Sequence, residues 1–137
     1  MSLIYRALVV LMLIILLACG KTVSRQTVGP VSVAVALDKE PAEVGPMVAH
    51  VQISSPDGTR PLGDAMISAV GGEPGAPMLN QVVVPVATPG ASEIRFSLPE
   101  GGAFVLTVTV RSERGPLGQL TYEVRAGAKG VKLISKG

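Results

Sequence analysis

Apolar and polar residues alternate with a period of two along most of the chain beyond residue 30. This alternation is typical of β-strands that bury one face. Seven segments are predicted strands, each followed by a connection rich in Gly, Pro, Ser or Asp: 31–37, 47–53, 65–70, 81–87, 94–98, 104–111 and 120–125. No segment after residue 30 has the 3.6-residue period of a helix. The pattern therefore predicts an all-β domain.

The number and spacing of these segments predict a seven-stranded antiparallel immunoglobulin-like sandwich over residues 31–125. An open barrel is the alternative. In the clearest strand, the alternation predicts Leu106 and Val108 in the core and Thr107 and Thr109 outside. Phe96, Phe104 and Tyr122 are the predicted large core residues. Pro85 lies within the fourth segment, and a strand that contains proline is expected at a sheet edge.

The first 18 residues have the composition of a secretory signal peptide. Arg6 precedes eleven apolar residues, Ala7–Leu17, which are too few for a membrane-spanning helix of about 20 residues. Leu16-Leu17-Ala18-Cys19-Gly20 resembles the bacterial lipobox, which implies a lipid-modified Cys19 as the first mature residue. An uncleaved anchor helix and a stray cysteine are the alternatives. Gly20 is not the aspartate that retains lipoproteins in the inner membrane of enterobacteria, which favours the outer membrane where one exists.

Two polar segments flank the predicted domain. Residues 19–30 are interpreted as the lipidated cysteine and a tether, and residues 126–137 as a basic tail with three lysines. The tail is expected to be solvated. Two other readings stay open: attraction to anionic lipid, and a short last strand over Val131–Ile134.

Composition excludes several function classes. The chain has 137 residues, of which 47% are hydrophobic and 16% charged, with one His, one Cys and no Trp. One cysteine cannot form a disulfide framework or a multi-cysteine zinc site. Without Arg6, 11 basic and 10 acidic residues leave a net charge of +1. Because no basic stripe is present, we expect no nucleic-acid partner.

Two stretches rich in turn residues resemble a known family. Lys39–Ile53 is a proline-containing turn followed by an alternating strand, and Pro56–Val70 contains the hairpin sequence DGTRPLGDA. With the turn at Glu100–Gly102 and the strand Phe104–Val108, this order resembles the YtkA-like domains, relatives of the FixH proteins, over residues 31–125. The resemblance implies a sandwich associated with copper-handling or metal-efflux systems. The same hairpin occurs in transthyretin-like and carboxypeptidase-regulatory-like domains.

The residues themselves offer little for a metal. His50, Met66 and Met78 are weak candidate ligands, since thioether sulfur and imidazole both suit Cu(I). Met47 and His50 are three residues apart on one strand, so they are expected on opposite faces, with Met47 in the core. We expect packing roles for the methionines, a surface position for His50, and no resident cofactor.

Catalytic chemistry is not indicated. A Ser-His-Asp triad would need His50, and no nucleophile elbow is present. The sequence thus favours a lipid-anchored, non-catalytic binding or interaction module of the bacterial cell envelope, facing the periplasm or the exterior. Its expected partners are the membrane, through lipid on Cys19, and an envelope protein or ligand. An accessory role in copper or heavy-metal efflux is the alternative.

Overall fold

The structure, a computed structural model, describes residues 22–137. Over this range the chain is all-β, with two antiparallel sheets that enclose a single apolar core. The predicted signal peptide, residues 1–18, and the predicted lipidation site, Cys19, lie outside the described residues. Within residues 22–137, no helix is long and apolar enough to cross a membrane.

Ten strands form the sandwich. Their bounds are β1 Val23–Val28, β2 Val31–Leu37, β3 Gly45–Ser54, β4 Met66–Gly72, β5 Leu79–Asn80, β6 Val82–Pro85, β7 Ala91–Leu98, β8 Ala103–Ser112, β9 Gly115–Arg125 and β10 Lys132–Lys136. The first sheet has the order β1-β2-β3-β7-β6, and the second sheet has the order β10-β9-β8-β4-β5. The predicted antiparallel sandwich is confirmed, and the predicted count of seven strands is wrong.

Two of the additional strands lie in the segments that flank the predicted domain. Val23–Val28, within the predicted tether, pairs with β2 along its whole length. Lys132–Lys136, within the predicted tail, pairs with β9. Both are edge strands that bury few side chains: Val28 is the one fully buried residue of β1, and β10 has none. Apolar alternation cannot reveal strands that are held mainly by backbone hydrogen bonds.

The third difference lies in the predicted fourth strand, residues 81–87. This segment is part of an extended run that forms two short strands, and these belong to different sheets. Leu79–Asn80 pairs with β4 in the second sheet, whereas Val82–Pro85 pairs with β7 in the first. The run therefore crosses from one sheet to the other along one edge of the sandwich.

The core agrees with the alternation. Leu106 and Val108 have no exposed surface, as predicted, and Tyr122 is also fully buried. Phe96 of the first sheet stacks on Phe104 of the second, with ring centroids 4.9 Å apart. This aromatic pair joins the two sheets near the ends of β7 and β8.

The burial of Thr107 differs from what the alternation predicts. It lies on the outer face of the second sheet, as its parity requires, but it is only 7% exposed. β8 is the middle strand of this sheet, and Thr107 is flanked there by Val70 on β4 and Thr121 on β9. The Oγ1 atoms of Thr107 and Thr121 are 3.1 Å apart and share a hydrogen bond. Neighbours on the same face can therefore bury an outward-facing residue of a central strand.

Candidate functional site

One edge of the sandwich is left incomplete where the extended run changes sheets. Gln81 ends the pairing with the second sheet, since its N–H donates to the Ala69 carbonyl at 2.9 Å. Beyond Gln81 the run turns to the first sheet as Val82–Pro85. Consequently, no described strand pairs with β4 on this side at Met66–Ser68.

The backbone of β6 also has unpaired groups on this side. The Val86 N–H donates to the Ala91 carbonyl at 3.3 Å, and hydrogen-bonded positions alternate along an antiparallel ladder. Val83 and Pro85 therefore direct their backbone groups away from β7. The predicted edge position of Pro85 is confirmed, and its ring removes one N–H from the unpaired side. Val83 retains both its N–H and its carbonyl there.

A groove of about 370 Å³ opens between the two strands as they diverge. Ile67 of β4 lines one side, and Val83 and Pro85 of β6 line the other. The remaining lining comes from the residues before β4 and from the β6–β7 turn. No lining residue carries a charge, so the groove, called here the edge groove, is apolar with backbone polar groups.

Exposed apolar side chains gather around the edge groove. Met66, Leu79 and Val82 are 62%, 66% and 60% exposed, and Met78 and Val86 are also exposed. The chain has no charged residue anywhere in 74–92. We call Met66–Ser68 together with Met78–Val86 the open edge. An exposed surface of this composition is typical of an interaction site.

A second, smaller cavity of about 270 Å³ lies at the other end of the same edge. The Phe104 ring forms part of its lining and packs directly against Gly71, where any Cβ would overlap the ring. The Gln81 side-chain amide donates to the carbonyls of Leu79 at 2.9 Å and Gly71 at 3.3 Å. Glycine at position 71 thus lets the core aromatic ring approach the open edge.

His50 lies on the outer face of the first sheet, as predicted, opposite Glu93 on β7. Its Nδ1 is 3.9 Å from Glu93 Oε1, and Arg95 Nη2 is 3.8 Å from Glu93 Oε2. The side chains of His50 and Arg95 are 47% and 59% exposed. Exposed pairs of this kind contribute less than about 1 kcal/mol, so the cluster is a solvated surface network.

The other candidate metal ligands do not lie beside His50. Met66 is on the outer face of the second sheet, opposite Arg111, so it and His50 point away from each other across the sandwich. Met78 directly precedes β5 on the open edge, and Met47 is buried in the core, as predicted. Among residues 22–137, no three His, Cys, Asp or Glu side chains are grouped to hold an ion.

Two other polar side chains have distinctive surroundings. The Tyr122 hydroxyl is buried without a hydrogen-bond partner among the described residues, and burial raises the pKa of Tyr122 to about 12. In the β3–β4 connection, the Ser55 hydroxyl donates to the Asp57 carboxylate at 2.5 Å, and Thr59 donates through its hydroxyl and its N–H. These bonds lower the pKa of Asp57 to about 2. Both arrangements are local and organise no cavity.

Comparison with known proteins shows the fold alone. No protein-family model and no curated protein matches the chain. A DUF4426 family protein from Pseudomonas aeruginosa PAO1 is similar in structure, with a TM-score of 0.58 and 13% identity over 82% of this chain and 99% of that one. The sulfane dehydrogenase SoxCD from Paracoccus pantotrophus gives a TM-score of 0.43 and 15% identity, over 70% of this chain and 29% of that chain.

The first of these likenesses supports a small β-sandwich domain. The second is too distant to carry an argument. Neither bears on the YtkA-like resemblance, which no family model supports.

The open edge is not among the sites that the sequence predicts. One available signal was the absence of charge over residues 74–92, which is unusual for a stretch with so many turn residues. Pro85 within that stretch was a second signal, because it places the adjoining strand at an edge. Together they indicate an exposed strand without the charges that normally protect an edge from other chains.

Proposed function

We propose that this chain is a lipid-anchored, non-catalytic module of the bacterial cell envelope that acts by binding through its open edge. The observation that carries the proposal is the combination, on one edge, of exposed apolar side chains, an uncharged groove and the unpaired backbone of Val83. An exposed strand with unpaired backbone groups can bind an extended chain as an additional strand of the sheet. In such binding the backbone hydrogen bonds provide affinity and the side-chain contacts provide selectivity. The proposed location is the membrane surface, facing the periplasm or the exterior.

The anchor rests on the lipobox-like sequence that ends in Cys19, the one cysteine of the chain. Acylation at two or more positions gives stable membrane attachment, whereas one chain gives marginal binding. A radiolabelled fatty acid supplied to cells should label the parent chain. The Cys19→Ala variant should carry no label and accumulate as an unprocessed or mislocated precursor. Equal labelling of the two would refute the anchor.

The open edge is tested by photo-cross-linking in the membrane with the full chain. A photoreactive residue in place of Val82, which is 60% exposed, should give covalent adducts. Ile134 is the matched control, because it is apolar, 51% exposed and located on the edge strand at the far side of the second sheet. Equal adduct yields at the two positions would mean that the open edge is not the binding surface.

The YtkA-like resemblance supports the second proposal, an accessory role in copper handling. Against it, His50 and Met66 point outward from different sheets, so they cannot bind one ion in this fold. We therefore expect the full chain to lose a competition against a Cu(I) chelator. One equivalent retained at sub-micromolar free copper, and lost in His50→Ala or Met78→Leu, would instead make metal handling the leading function.

A further inference from the structure

We infer that the occupant of the open edge is a second copy of this chain, with β6 of one protomer antiparallel to β6 of its partner. The inference rests on the proposed function, because it names the partner of the same surface. It concerns the described residues of the open edge and of the edge groove.

The chemistry of the groove limits its occupant to an extended, uncharged and apolar segment. A charged side chain placed against this lining would lose its water with no counter-charge to replace it. The segment 74–92 itself has this composition, and its centre, Val82–Pro85, is already extended. The surface and the segment that would fill it are therefore the same part of the chain, as a two-fold symmetric interface requires.

The unpaired backbone fixes the register of the pairing. Val83 is the residue of β6 with both its N–H and its carbonyl on the open side, because Pro85 lacks the N–H. Val83 opposite its own copy would exchange two hydrogen bonds, the arrangement of a hydrogen-bonded antiparallel pair. In this register Val82 lies beside Val84 of the second copy, and the proline rings limit the pairing to a few residues.

The size of the surface fits a stable dimer. The edge groove and the open edge together comprise 20 residues, which sets the lower end of the about 20–30 residues per side of a standard interface as the most that they can supply. Val82, which is 60% exposed, would pack on Val84 of the second copy, and Met66 and Leu79, which are 62% and 66% exposed, extend the apolar surface of this edge along the second sheet. The opposite edge of the sandwich is less suited to such pairing, because its strands carry Arg25, Lys132 and Lys136.

The test uses the full chain purified in detergent, with protein mass measured by sedimentation or light scattering. We expect twice the mass of one chain for the parent. Val82→Lys should raise the dimer dissociation constant by at least about 100-fold, because it places a charge against Val84 of the second copy, in an apolar contact with no counter-charge. Ile134→Lys, on the far edge strand, should leave the dimer intact. If Val82→Lys fails to fold by far-UV circular dichroism, Leu79→Lys takes its place.

A second measurement in membranes tests the geometry. Val82→Cys should form a cross-linked dimer with a short bismaleimide, whereas Ile134→Cys and the parent, which has Cys19 alone, should not. A monomeric parent overturns the inference. If that monomer still gives adducts to another protein from Val82, the proposed function stands with a different partner. If the monomer gives no adducts from Val82, both the dimer inference and the proposed binding function fail.

Discussion

The two edges of this sandwich are built in opposite ways. At the closed edge, formed by β1 Val23–Val28 and β10 Lys132–Lys136, the strands of the two sheets are joined. Lys136 Nζ donates to the Thr27 carbonyl of the other sheet at 3.2 Å, and within the second sheet the Gly137 backbone exchanges two 2.8 Å bonds with Gln119 of β9. At the open edge, β5 and β6 are short and uncharged and belong to different sheets, and the edge groove separates β6 from β4.

The two edges also differ in the charges that they carry. The closed edge carries Arg25, Lys132 and Lys136, and next to it the Arg125 guanidinium holds the pKa of Glu123 below its usual value. Charges on an edge strand discourage pairing with other chains. The open edge has only a proline and short strands as protection. One edge of this fold is thus protected from pairing with other chains, whereas the other edge lacks charges that would protect it.

The largest expected effect comes from the core that both edges enclose. Leu106→Ala should lower the free energy of unfolding by about 2–5 kcal/mol, because it leaves a cavity at a fully buried site. Ile134→Ala, at a 51% exposed site on the closed edge, should cost under about 1 kcal/mol. Urea melts measure both values. Equal losses would show that side chains, rather than the backbone, hold β10 in place.

The next largest loss of stability is expected from a substitution at the contact between β9 and β1. Gly118 packs so closely on Val28 that a Cβ would overlap the Val28 side chain. Gly118→Ala should therefore cost about 1–3 kcal/mol through overpacking. Gly101→Ala is the matched control, since a Cβ there meets nothing within 4 Å. If thermal melts show no difference between the two variants, the closed edge is looser than the structure implies.

Removal of the unpaired Tyr122 hydroxyl should change the free energy of unfolding by less than the two preceding substitutions, and in the opposite direction. Tyr122 lies between Leu106 and Leu133, toward the closed edge, and its hydroxyl has no partner among the described groups. Tyr122→Phe should leave stability unchanged or raise it by up to about 1 kcal/mol, since a buried polar group without a partner is unfavourable. A clear loss of stability in urea melts would indicate a bonded hydroxyl.

The smallest effect concerns pH and the β3–β4 connection, whose Gly58 lies near Arg25 of the closed edge. Because the folded pKa of Asp57, about 2, is below its ordinary value of 3.8, the contribution of its ionised carboxylate is present above pH 3.8 and is lost as the pH falls toward 2. An NMR titration should place the Asp57 midpoint near 2. In Ser55→Ala, which removes the largest cause, the midpoint should rise. An unchanged midpoint would contradict the assigned hydrogen bond.

The sequence predicted the parts of the fold that depend on buried side chains. Leu106, Val108 and Met47 are buried as their alternation requires, and Pro85 correctly indicated an edge. The edge strands β1 and β5 were missed, and β10 was only an alternative interpretation of the tail, because backbone pairing holds these strands with few buried side chains. Thr107 was misjudged because parity gives the face of a residue but not the size of its neighbours.

The candidate site was less accessible to prediction. Alternation does not state which strands of different sheets lie side by side, so the groove between Ile67 and Val83 could not be foreseen. The same limit applied to His50 and Met66, whose placement on opposite outer faces depends on how the two sheets stack.

The early start of β1 changes how the domain would sit on a membrane. Only three residues separate Cys19 from Val23, and an extended chain spans at most about 3.5 Å per residue, so the link reaches about 10 Å. Thr22 is fastened to the domain by its N–H, which donates to Glu40 Oε1 at 2.8 Å. With lipid on Cys19, as proposed, this end of the sandwich would rest against the headgroups. The module would then move by lateral diffusion in the bilayer, and it could not extend away from the bilayer by more than this short link allows.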